Sequence, residues 1–360
     1  MVFDDVLIIK NGKNQKAVEN PNGKYPIYGS GGVIGYADAY ICNANTVIVG
    51  RKGSINNPIF VEEPFWNVDT AFGLEAKQEI LLPRYLFYFC KHFNFERLNK
   101  AVTIPSLTKG DLLKIEINLP TIVEQKFIVD RLLRTQKVIE MYQQQLQLLD
   151  ELIKARFIEM FGDPIKNPKG WEVVTIGDIV TEVRYGTSKP AVEGGRYPYL
   201  RMNNLTADGH LDLDDLKYID ISDDEIEKCV VRKGDVLFNR TNSIDLVGKT
   251  TVFDLPDDMV IAGYIIRVRL NEKILPEVLS QYMNLEAIKG ILHSMAKGAV
   301  NQANINAQEL QSIRVYIPDI KLQKKFVEMK KQVDKSKLAI QKSLEKTQQL
   351  FDSLMQEYFG

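Results

Sequence analysis

The chain offers few residues able to make or break bonds. Its best catalytic candidate is Pro318-Asp319 followed by Glu328-Met329-Lys330, the residue order of a Pro-Asp…Glu-x-Lys nuclease site. Such a site needs carboxylates converging on Mg2+ from neighbouring strands. Here Glu328 and Lys330 fall in a heptad-patterned stretch that reads as helix, and an internal repeat puts Thr121 where Asp319 stands. A solvated helix face is the reading we take. The three histidines, His92, His210 and His293, stand apart, without a spaced carboxylate or cysteine partner, and read as ordinary surface or core residues. Val247-Gly248-Lys249-Thr250 resembles the close of a phosphate loop, but Ser243 stands where the first glycine is required. No G-x-G-x-x-G follows a strand pattern, and no Asn-Pro-Pro-aromatic stretch of the adenine methyltransferase type occurs. Cys42, Cys90 and Cys229 are odd in number and in no C-x-x-C spacing, which argues against a disulfide framework and a zinc site and fits a reducing cytosol. The expectation is a non-catalytic chain with no metal or cofactor of its own.

Composition agrees with an ordinary globular protein. The 360 residues are 45% hydrophobic and 26% charged, enough for about two domains with their own cores. The opening "MVFDDVLIIKNGK" lacks the basic and apolar regions of a signal peptide, and no apolar run is long enough to span a bilayer. Net charge is −1, so any nucleic-acid site must be a local basic face balanced by acid elsewhere. Residues 212–227 and 254–259 are acidic stretches that supply such a balance.

The elements that must position any site come in two copies. Glu159, Phe161 and Gly162 recur 198 residues later as Glu357, Phe359 and Gly360. The same offset superimposes Ala101-Val102 on Ala299-Val300, Leu112 on Leu310, Pro120 on Pro318 and Gln125-Lys126 on Gln323-Lys324. A register held without a gap from 101 to 162 is a duplication. Upstream the likeness is looser: 3–16 resembles 176–189, 45–54 resembles 234–243, and 82–89 resembles 275–282.

Each copy reads as a mixed α/β globular part followed by a long helix. "NTVIVG" (45–50) and "GDVLFN" (234–239) are short apolar runs bounded by turn residues, as strands are. "IIRVRL" (265–270) alternates apolar with basic residues, which predicts one buried and one wet face. "KIEINLP" (114–120) and "SIRVYIP" (312–318) alternate likewise and stop at a proline, and 83–98 and 276–295 read as helical. From Val123 to Phe161 there is no Pro or Gly, and Leu132, Ile139, Leu146, Ile153 and Met160 recur every seven residues. Ile128, Thr135, Tyr142 and Leu149 fill the second seam position. The second tail repeats this with Val333, Ile340 and Leu354 and with Leu344, Phe351 and Tyr358, while Lys330 and Lys337 interrupt it. Such seams predict coiled-coil helices roughly 60 Å long that pack on each other, with poorer contact at the lysines.

This order of parts resembles the specificity subunit of type I restriction–modification systems over the whole chain. The local signs are Asn11-x-Lys13-x-x-Lys16, the strand "GDVLF" (234–238), and "NQANINAQELQSIRVYIPDIKLQKKF" (301–326), whose first copy is "TIPSLTKGDLLKIEINLPTIVEQKF" (103–127). The resemblance implies an α+β fold of two target-recognition domains in tandem, at 1–120 and 163–318. Each is followed by a conserved long helix, at 121–162 and 319–360. The two helices would pack as an antiparallel coiled coil with pseudo-two-fold symmetry. It further implies cytoplasmic location and duplex DNA as ligand, each domain reading one half of a split, asymmetric site. Two methyltransferase subunits would dock on the chain, with restriction/translocase subunits beyond them. S-adenosylmethionine, ATP and Mg2+ would belong to those partners. The family opens each unit with a Trp-containing strand, as in "GWEVVTIGDIV" (170–180). The first unit starts at "MVFDDVLI", so it is expected to lack that lead-in strand or to receive it from elsewhere.

Base edges are read by Arg, Lys, Asn and Gln, and phosphates are held by basic and hydroxyl groups. Loops offering both types give the candidates. In the first domain these are Lys10, Asn11, Lys13, Asn14, Lys16, Arg51, Lys52, Ser54, Thr103 and Ser106. In the second they are Arg184, Thr187, Ser188, Lys189, Arg201, Asn203, Asn239, Arg240, Asn242, Ser243, Asn301, Gln302 and Asn304. The same residue types furnish any solvated turn, and what raises these loops above that is their recurrence at matching places. A coiled-coil scaffold with protein-binding globular parts is the competing reading, and the metal-dependent nuclease is a weaker one.

Overall fold

The computed structural model describes residues 1–99, 105–296 and 303–360. They form two compact units, Met1–Gln143 with Gln341–Gly360, and Gln144–Ile340.

In the first unit the β-branched run Thr46–Gly50 is buried at every position and forms the inner strand of a sheet. The strands are β1 (Leu7–Asn11), β2 (Tyr25–Gly29), β3 (Gly32–Ala37), β4 (Thr46–Gly50), β5 (Ile59–Val61), β6 (Trp66–Asn67) and β7 (Ala71–Ala76). They make a four-stranded sheet in the order β1-β7-β4-β5 and a three-stranded sheet β3-β2-β6. The core gathers Phe3, Val47, Val49, Leu74, Tyr85 and Tyr88 around Leu132 and Ile139 of the first long helix and Phe351 and Leu354 of the second.

The second unit repeats that plan with additions. Its strands are β8 (Glu172–Thr175), β9 (Val180–Tyr185), β10 (Tyr197–Leu200), β11 (Lys217–Ile219), β12 (Val230–Val231) and β13 (Val236–Asn239). They continue as β14 (Thr241–Asn242), β15 (Thr250–Val252), β16 (Met259–Ile261), β17 (Ile265–Leu270), β18 (Ala303–Asn304) and β19 (Arg314–Ile317). The sheet β15-β13-β17-β9 has the order of β5-β4-β7-β1, and β11-β10-β16 that of β3-β2-β6. Registers agree as well. Gly50 faces Ala71 as Asn239 faces Ile265, and the parallel pair Ile27–Trp66 matches Tyr199–Val260.

Each long helix runs for 40 residues, Ile122–Phe161 and Ile320–Phe359. One side chain explains why the Gln-Lys pair recurs at their starts. Gln125 accepts from Leu82 N–H and donates to the carbonyls of Ile80 and Pro120. Gln323 makes the same three bonds, to Leu275, Lys273 and Pro318. Both are fully buried, so each amide closes the backbone polarity where a strand-side loop meets a helix start. Within the second unit the helices run antiparallel, since Asp150 meets Lys337 while Phe157 meets Phe326. The seam lysines find acids: Lys337 donates to Asp150 at 2.5 Å and Lys330 to Asp334 at 2.7 Å. In the first unit Arg131 donates to the Tyr358 hydroxyl at 2.7 Å.

Several sequence expectations are corrected. "IIRVRL" has no simple wet face: Arg267 is fully buried, because Glu182 on β9 reaches it at 2.7 Å. "KIEINLP" keeps alternate burial at Ile115 and Ile117 but forms only an isolated bridge, Val2 to Glu116. There Phe3 N–H bonds to Ile115 O, as Ile176 N–H bonds to Ile313 O in the second unit. Residues 2–3 thus pair where the end of β8 pairs in the second unit. Helix 276–295 is broken into Pro276–Met283 and Glu286–Met295, and 83–98 into Pro83–His92 and a short 3-10 turn. His210 is not isolated, lying 3.8 Å from Asp208 and 3.4 Å from Lys337.

Candidate nucleic-acid interface

The sequence-flagged loops sit at the ends of equivalent strands. After β4 the chain continues through Arg51, whose N–H bonds to Thr70 O and whose O accepts from Leu107 N–H. After β13, Arg240 makes the matching bonds, to Tyr264 O and from Ile305 N–H. Lys52 bridges Ser106 on one side, and Thr241 pairs with Asn304 on the other. Both units therefore bring a cation-bearing turn beside the segment that leads to the long helix.

A second loop joins each site after β1 and β9. Gly12 and Gly186 approach backbone so closely that a Cβ would collide with the carbonyl of Val68 or of Ile261 and Ala262. That contact is held by Lys13 N–H to Asn67 O and Thr187 N–H to Ile261 O, both 2.9 Å. Glycine is required here by space rather than by φ. The sequence placed Lys10 and Asn11 in a loop, but they end β1, as Arg184 lies within β9. Asn14 is exposed and accepts from Lys16 N–H in a local turn.

In the second unit Thr187, Ser188, Lys189, Arg201, Asn203 and Arg240 line one cavity of about 610 Å3. Arg240 lies over the Tyr185 ring at 4.9 Å, and that tyrosine's hydroxyl accepts from Ala307 N–H. Among the described residues, the buried Nε atoms of Arg201 and Arg240 have no hydrogen-bond partner. Tyr264, half exposed in the β16–β17 turn, also lines this space. Sequence reading missed it, and its only signal was an aromatic between a glycine and a strand.

Charge is partly neutralised inside the site. Arg201 pairs with Asp215 at 2.7 Å, Lys189 with Glu225, Arg184 with Glu182 at 3.0 Å, and Lys10 with Glu75 at 3.9 Å. The hydrogen bond to Glu225 holds the Lys189 ammonium above its usual range. Burial raises the Glu182 carboxyl, but Arg184, Arg267 and Arg269 together outweigh it and hold it below the usual range. Among the described residues Lys13, Lys16, Arg51, Lys52 and Arg240 carry no salt bridge, which leaves them for phosphate or a base edge.

Three candidates have other roles in this structure. Asn239 is fully buried and donates to the carbonyls of Thr241 and Tyr264, so it shapes the loop instead of facing a base. Asn242 donates to Asn239, and Asn304 accepts from Thr241. Ser54 and Ser243 are exposed at the matching turns. Thr103, Asn301 and Gln302 lie outside the described residues.

The discarded catalytic motifs have structural uses. Asp319 accepts from Lys321 N–H and Leu322 N–H at the start of the second long helix. Among the described residues no group of three His, Cys, Asp or Glu side chains could hold a metal ion. Lys249 of the phosphate-loop mimic is buried and donates to Met202 O. No described helix is long and apolar enough to cross a membrane.

Comparison with known proteins gives one family. The Type I restriction modification DNA specificity domain matches residues 2–151 and again 168–350. The EcoKI specificity subunit of Escherichia coli K12 is 22% identical over 299 residues, covering 77% of this chain and 64% of that protein. The chain thus spans less than two thirds of that relative's length. The S subunit of a type I restriction-modification system from M. genitalium shares the fold, with TM-score 0.65 and 18% identity over 100% of this chain and 95% of that one. A chain from a structure of type I R-M complex assembly and conformational transition gives TM-score 0.59 at 17% identity, covering 100% and 96%.

Proposed function

The chain belongs to the family of type I restriction modification DNA specificity domains, and from that premise we propose that it is the DNA specificity subunit of a type I restriction–modification complex. The observation that carries this reading is the duplicated turn at Arg51 and Arg240. Each is held by the same two backbone bonds and lies beside the segment leading to a long helix. Two matching cationic turns suit the two halves of one duplex site, because duplex DNA itself has a pseudo-dyad. Their side chains differ around that common frame, so the half-sites differ and the site is asymmetric.

In this reading the recognition domains are 1–120 and 163–318, and the long helices form an antiparallel coiled coil that sets the spacing between half-sites. The antiparallel contacts of Asp150 with Lys337 and Phe157 with Phe326 support that arrangement. Two methyltransferase subunits dock on the chain and methylate adenine, and restriction/translocase subunits join through them. S-adenosylmethionine, ATP and Mg2+ belong to those partners, and this chain contributes position and sequence choice only. Its net charge of −1 leaves DNA affinity to be completed by the partners' electrostatic attraction.

A genome-wide map of adenine methylation in the host, with and without the gene, tests the proposal. Loss of one split, asymmetric motif on deletion is expected. An unchanged map contradicts the specificity role and favours a protein-binding scaffold.

A further inference from the structure

The tip of the β2–β3 hairpin in the first unit carries a bulge. Ile27 faces Gly35 and Tyr28 faces Val33, so Ile34 is the extra residue with no partner across the ladder. A bulge re-aims the side chain it adds, and here Ile34 is left 57% exposed beside Val33 at 51%. Two adjacent β-branched residues held in water at a glycine-rich tip are not explained by the core, which lies beneath Ile27 and Ala37. The glycines at the very tip, Gly31 and Gly32, have open space around them, whereas a Cβ on Gly50 would lie only 3.1 Å from Ser30 Cβ. Ser30 thus abuts the turn that carries Arg51 and Lys52, both exposed and without a salt bridge among the described residues.

The second unit treats the same place differently. Pro26 faces Tyr36 as Pro198 faces Tyr218, which fixes the correspondence of the two hairpins. Beyond that pair the second unit has no bulge, and it presents Arg201 with its partner Asp215. One unit therefore offers an apolar tip beside free cations, and the other offers a guanidinium.

We propose that Ile34, aimed by the β-bulge and set beside the Arg51–Lys52 turn, reads a thymine methyl group in the first half-site. The inference rests on the DNA-specificity reading and adds one base preference to it. Lys52 holds phosphate and fixes the approach, Arg51 is left for a base edge, and an apolar side chain beside it distinguishes thymine by its C5-methyl group. The counterpart tip with Arg201 makes no such demand for a methyl group.

The test uses the complete complex in the host and in purified form. Methylation maps are taken for the wild type, Ile34→Ala and Ile34→Gln. The expected result is that one thymine position in one half of the motif becomes degenerate while the other half is unchanged, the intact half showing that the variant folds and assembles. With purified complex, deoxyuridine in place of that thymine should lower wild-type methylation about 4-fold, the worth of one buried methyl-sized group. It should leave Ile34→Ala unaffected. A motif identical in all three strains overturns the inference and leaves the specificity role standing. Equal loss of both halves in both variants also overturns it, by showing a structural role. Absence of any motif in the wild type overturns the specificity role and this inference together.

Discussion

At the strand next to β1 in the first unit, Gly73 sits so close to Cys42 that a Cβ would strike its sulfur. The matching position on β17 is Arg267, fully buried, with Glu182 at 2.7 Å and its neighbour Arg269 held by Glu182 and by Asp235 at 2.9 Å. Strand order is the same in both sheets, and register is too up to Arg269, beyond which the β17–β9 pair shifts by one residue, yet one face is closed by a small residue and a thiol and the other by an ion network. The backbone framework tolerates either filling because the sheet's hydrogen bonds do not depend on it. What does not drift is the junction amide, Gln125 or Gln323, whose three bonds are to backbone and allow no substitute of different chemistry. Divergence is free where side chains meet side chains and restrained where they serve the backbone.

The largest break in this comparison should come from Glu182→Gln. It leaves the Arg267 charge buried without its carboxylate, which costs about 3–5 kcal/mol. Ile8 occupies the corresponding place in the first unit and is half exposed, so Ile8→Ala should cost less than about 1 kcal/mol. The chain's two tryptophans fall one in each unit, Trp66 and Trp171, so denaturation of single-tryptophan variants reads the units separately. Equal losses from the two substitutions would contradict the difference.

A smaller and symmetric effect is expected at the junctions. Gln125→Leu and Gln323→Leu each strand buried backbone groups, and each should destabilise its own unit by about 2–3 kcal/mol. Unequal losses would show that the shared hydrogen bonds do not carry equal weight.

How far the sequence showed these features depends on the distance over which each is decided. The long helices were legible because absence of Pro and Gly and a seven-residue repeat are local facts. The duplication was legible as an offset, though nothing in "Gln-Lys" said that the amide would bond three backbone groups. Arg267 was misread because alternation treats a basic residue as wet, and its partner Glu182 lies 85 positions away. Asn239 was misread for a similar reason, since a polar residue ending a strand looks the same whether it faces solvent or caps a turn from inside. The Ile34 bulge left no trace in "GGVIGY", because a one-residue slip is a property of the paired strands.

The most direct test of the account is a pair of methylation maps, for Arg51→Ala and for Arg240→Ala. Each turn is held to serve one half-site, and loss of a specific arginine contact is worth ~1–3 kcal/mol of discrimination or affinity. The account predicts that each variant weakens or relaxes one half of the split motif, a different half for each, with the other half intact. Both variants altering the same half, or neither altering the motif, would contradict it.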